Sequence, residues 1–77
     1  MPGDIPTVTA TEVRRALEEA GFVAMRQHGS HLTLRHPETR RSTTVPIHRG
    51  DVKPRLVELI IKQAGLTRED FLALLRR

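Results

Sequence analysis

Leucines at 32 and 34 alternate with His31, Thr33 and Arg35, so a strand over Ser30–His36 sends the leucines to one face and the other three side chains to the opposite face. Upstream the period changes from two to that of a helix. Val13, Ala16, Leu17 and Ala20 form an apolar stripe, with Arg14, Arg15, Glu18 and Glu19 turned outward, and predict a helix over residues 10–20. Thr9 and Glu12 make a capping box at its start, Val8 and Val13 a hydrophobic staple, and Gly21 a left-handed stop.

Three short strands are predicted next. Residues 22–27 form the first, a tight connection follows around His28-Gly29, and residues 30–36 return as the second. After the turn-rich stretch Pro37-Glu38-Thr39-Arg40-Arg41, residues Thr43, Val45 and Ile47 alternate with Ser42, Thr44 and Pro46 as the third. Pro46 has no N–H for a ladder, so this strand lies at an edge or ends there. Asp51 or a neighbour caps a second helix with Pro54 in its first turn, and Leu56, Val57, Ile60, Ile61 and Ala64 are its buried stripe. Gly65 ends it. Thr67 and Asp70 open a short third helix, with Leu66 stapled to Phe71.

This order of helix, three antiparallel strands, helix and short helix predicts an α+β fold whose sheet is covered by helices on one face and open on the other. Leu32, Leu34, Val45 and Ile47 then face the helices. His31, Thr33 and Arg35 lie on the open face, and His48 shares the parity of Thr44 and Pro46 and emerges there too. Met25 reads as core filling, Arg40-Arg41 as a solvated loop tip, and His28 and His36 as turn residues.

A chain of 77 residues has room for one core, so residues 1–77 read as a single domain with residues 1–6 as a loose tail. Phe22 and Phe71 are the only aromatic residues, which leaves aliphatic side chains to fill that core. Without cysteine there is no disulfide framework and no thiolate metal site. The first residues lack the basic start and apolar run of a leader, and no apolar stretch reaches membrane-spanning length; the expectation is a cytoplasmic protein.

Charge is concentrated in the centre. The segment from Arg26 to Arg55 holds seven of the thirteen basic residues, two of the nine acidic ones and all four histidines. Such a centre suits a polyanion. An imidazole beside a glycine turn can move protons near neutral pH, and a guanidinium can hold a phosphate, so His31 and its surroundings suit RNA cleavage. RNA carries its own nucleophile in the 2'-hydroxyl, so a base and a phosphate cradle suffice, and no metal is required. On this reading His31 is the general acid or base. Gly29 and Ser30 offer close approach and a hydrogen bond, Arg26, Arg35 and Lys53 steady the phosphate, and His48 is a candidate second proton carrier. His28, His31, His36 and His48 do not have the spacing of a zinc set, and no small-molecule cofactor is expected.

Four separated blocks carry a resemblance: Glu19-Ala20-Gly21-Phe22, then Arg26-Gln27-His28-Gly29-Ser30-His31, then Val45-Pro46-Ile47-His48, and finally residues 62–72 from Lys62-Gln63-Ala64-Gly65 to Phe71-Leu72. Together they resemble the HicA, or YcfA-like, family. The resemblance implies a toxin of a type II toxin-antitoxin pair, an endoribonuclease that cleaves mRNA, with a fold like that of double-stranded RNA-binding domains. It also implies that the histidine of the Gly-Ser-His motif, His31 here, is catalytic, and that a HicB-like antitoxin is the protein partner. Two positions depart from the family pattern. Leu32-Thr33-Leu34 carries no aromatic residue, which argues against base stacking on the open face, and Arg55-Leu56-Val57 replaces a Gly-Thr-Leu-like step at the second helix. A module of the same fold that binds RNA or antitoxin without turnover is the alternative.

Overall fold

The computed structural model describes residues 5–47 and 50–77. Val8–Thr9 form a short strand β1, which runs directly into helix α1, Ala10–Glu19. The start of α1 is doubly fixed, because the Thr9 side chain accepts from the Glu12 N–H while the Glu12 carboxylate accepts from the Thr9 N–H at 2.9 Å. Val13, Ala16 and Leu17 are fully buried on its inner face.

Strands β2, Val23–His28, β3, His31–Arg35, and β4, Ser42–Pro46, form an antiparallel meander in the order β2-β3-β4. β4 is at the edge, as Pro46 requires. Leu32, Leu34, Thr43 and Val45 are buried on the inner face, with Ala24 and Ile47 packed against the same core. Ladder partners share a face, so the register sets the outer face in three rows: His28, His31 and Pro46; Arg26, Thr33 and Thr44; Val23, Arg35 and Ser42.

Three details of these strands differ from expectation. His28 is not in the turn but is the last residue of β2, opposite His31. The turn is only Gly29-Ser30, and a two-residue loop makes the flanking residues a pair. Met25 is not core: the register shifts between Ala24 and Arg26, and the intervening bulge leaves Met25 60% exposed. His36 is half-buried beyond the end of β3, edge-on to Phe22 with ring centroids 5.3 Å apart.

Asp51 does not cap the second helix. It lies in β5, Asp51–Val52, whose two residues pair antiparallel with β1 in a separate small sheet. The N-cap of α2, Pro54–Ala64, is Lys53, whose side chain makes no capping bond, and Pro54 occupies the first turn where a missing N–H costs nothing. Gly65 closes α2 in the left-handed conformation. Helix α3, Arg68–Leu75, starts at the Thr67–Asp70 capping box and buries Phe71 completely. Arg15 reaches from α1 to donate to the carbonyls of Leu75 and Arg77 at 3.1 and 3.0 Å, satisfying acceptors that the end of α3 leaves open. It is therefore not simply an outward-facing residue.

Candidate nucleic-acid interface

The Gly29-Ser30 turn is held from both sides. Gly29 has φ 59° while Ser30 keeps a negative φ, the pattern of a type II' hairpin turn with glycine in its first central position. Nε2 of Gln27 donates to the Gly29 carbonyl at 3.1 Å, and the Ile47 N–H donates to the Ser30 carbonyl, which ties the turn to the end of β4. Among the described residues, a Cβ placed on Gly29 meets no atom within 4 Å, which leaves open space on its solvent side.

His31 leaves this turn on the outer face, exposed. It forms one wall of a groove of about 240 Å³, together with Thr44 and Pro46 on the sheet side and Leu56, Leu59, Ile60 and Gln63 of α2. The outer face is thus bounded at the β4 edge by α2. Gln63 is fixed from below, since Oγ1 of the buried Thr43 donates to its Oε1 at 2.9 Å. Leu59 is 49% exposed, so the groove has an apolar lip. Lys53 is exposed one turn before Leu56, at the N-terminal end of the helix that forms this wall.

Arg26 projects beside the histidine row, opposite Thr33, whose hydroxyl lies 3.3 Å from that of Thr44. Arg35 is on the same face but four residues from His31, a separation of about 14 Å along a strand. One phosphate does not bridge that distance. Arg35 instead borders a second, shallower concavity with Val23, Met25, Pro37 and Arg40. Arg40 lines this concavity in a left-handed conformation, φ 64°, and Arg41 lays its side chain against Gly65, while both remain exposed loop residues. His48 lies outside the described residues.

The sequence reading missed Gln27, His28 and the groove. Recognising Gly29-Ser30 as the whole loop would have paired His28 with His31 at once, because a two-residue turn leaves no other register. Gln63 and Leu59 carry no such signal; only the packing of α2 against β4 brings them near His31. Among the described residues no group of three or more His, Cys, Asp or Glu side chains could hold a metal ion, and no helix is long and apolar enough to cross a membrane.

A three-stranded antiparallel sheet backed by three helices is an α+β arrangement of the double-stranded-RNA-binding-domain-like class. Residues 10–66 match the family described as the HicA toxin of bacterial toxin-antitoxin, and the chain belongs to that family. The family's members are toxins, and membership implies an antitoxin partner. Comparison with curated proteins returns no match.

Proposed function

We propose that this toxin is a metal-independent endoribonuclease that cleaves mRNA, acts in the cytoplasm, and is restrained by a HicB-like antitoxin. The observation that carries this reading is the exposed imidazole of His31 on a cationic sheet face, beside a glycine turn with room for a sugar-phosphate backbone. His31 takes the proton of a 2'-hydroxyl as it attacks the adjacent phosphorus. The bare Gly29 backbone admits the phosphate, the Ser30 hydroxyl donates to it, and Arg26 stabilises the charge that builds on the phosphorane oxygens. Arg35 holds a neighbouring phosphate and Lys53 a third point along the strand.

Purified protein incubated with a long mRNA in EDTA, beside a His31→Ala variant of equal folded stability, tests the reading. Cleavage by the wild type, its loss in the variant, and 2',3'-cyclic phosphate ends are expected. RNA binding without cleavage by either protein identifies a binding module instead, and activity abolished by chelation identifies a metal-dependent mechanism. The partner is tested by co-expression with the product of the adjacent reading frame, which is expected to co-purify and suppress cleavage.

A further inference from the structure

His28 stands directly across the β2–β3 ladder from His31, and the two close the Gly29-Ser30 turn as its flanking pair. Directly opposed residues hold their Cβ atoms about 4.5–5.5 Å apart on one face of the sheet. Both histidines are exposed. We propose that His28 is a second catalytic residue of this site, the general acid that protonates the leaving oxygen while His31 acts as base; the proposal rests on the nuclease reading above.

Cleavage by the 2'-hydroxyl needs two proton transfers on opposite sides of phosphorus. The 2'-oxygen forms a bond to phosphorus and its proton passes to His31; the P–O5' bond breaks and a proton passes from His28 to O5'. A 2',3'-cyclic phosphate and a 5'-hydroxyl result, with no other reactant consumed. The register leaves few candidates for the second transfer. Among the described residues, the ladder pairs of the outer face are Val23, Arg26 and His28 from β2, His31, Thr33 and Arg35 from β3, and Ser42, Thr44 and Pro46 from β4. Of these nine, His28 and His31 alone carry side chains that exchange protons near neutrality, since guanidinium does not titrate and hydroxyls hold theirs. A phosphate lying over the turn meets both rings, one from each strand.

The test uses an RNA oligonucleotide and its analogue with sulfur in place of the bridging O5', a thiolate leaving group that needs no proton. His28→Ala is expected to slow cleavage of ordinary RNA by about 100-fold or more. On the sulfur analogue the same variant is expected to come within about tenfold of the wild type, whereas His31→Ala stays slow on both. His28→Gln, with folding checked by circular dichroism, separates loss of the acid from loss of the strand end and is expected to match His28→Ala. Unimpaired cleavage of ordinary RNA by His28→Ala overturns the proposal, as does slow cleavage of both substrates, or sulfur rescue of His31→Ala in place of His28→Ala. If the wild type cleaves neither substrate, the nuclease reading itself fails and this assignment falls with it.

Discussion

Oγ1 of Thr43 donates to Oε1 of Gln63 at 2.9 Å, a bond from the one buried polar side chain among the described residues to the helix that walls the His31 groove. It fixes the rotation of α2 against β4. Thr43→Val keeps the shape and removes the donor, so a loss of about 1 kcal/mol in urea unfolding is expected. The same variant is expected to raise KM for RNA more than it lowers kcat, since Gln63 is released while His31 is left in place.

Gly21 and Gly29 both sit at positive φ, 102° and 59°, yet their surroundings differ. A Cβ on Gly21 lies 2.8 Å from Nε2 of His36, whose ring is held edge-on to Phe22 and accepts the Glu38 and Thr39 N–H groups at Nδ1. A Cβ on Gly29 meets no atom of the described residues within 4 Å. Gly29→Ala is expected to cost about 1–2 kcal/mol from backbone strain alone, and Gly21→Ala about 1–3 kcal/mol more from overpacking. Chemical denaturation of the two variants side by side checks the difference. An equal cost would show that His36 yields freely.

Glu12 is held below the ordinary glutamate value of 4.5, first by the Thr9 backbone N–H, then by the Thr9 hydroxyl and the nearby charge of Arg15. A carboxylate depressed in the folded state contributes stability above its unfolded value, and that contribution is lost as pH falls through the folded one. Glu12→Gln is therefore expected to be less stable than the wild type at neutral pH, with the gap closing from about pH 4.5 downward. Urea midpoints across that range measure it.

Arg26 flanks the histidine row and Arg35 lies four ladder pairs from His31. Arg26→Ala is expected to lower kcat by about 100-fold, the usual cost of removing a donor to a developing oxyanion. Arg35→Ala is expected to raise KM with kcat nearly unchanged and to flatten the salt dependence of RNA binding. Steady-state cleavage at two ionic strengths separates them.

The helix boundaries other than the start of α2 were legible because their determinants are local. Thr9 with Glu12 and Thr67 with Asp70 are three residues apart, and Gly65 follows the last turn of α2 directly. Strand faces were legible from Leu32, Leu34, Thr43 and Val45, whose alternation has one reading once one side is buried. What escaped depends on partners far along the chain. Val8 pairs with Val52, Arg15 with the carbonyls of Leu75 and Arg77, and the His31 groove with Leu59 and Gln63; no spacing rule connects such residues. Met25 escaped for another reason. An apolar residue at a bulge keeps the composition of a strand but leaves its alternation, so composition points inward where geometry points outward.

That bulge has a bearing on solubility under overproduction. β2 is the rim of its sheet and pairs on one side with β3. A straight rim invites the same strand of another copy to zip onto it, and Val23 and Met25 would make that seam sticky. The dislocated hydrogen-bonding row beside Met25 denies such a guest a continuous template, so a flattened variant in which Met25 is deleted should be the form that clumps.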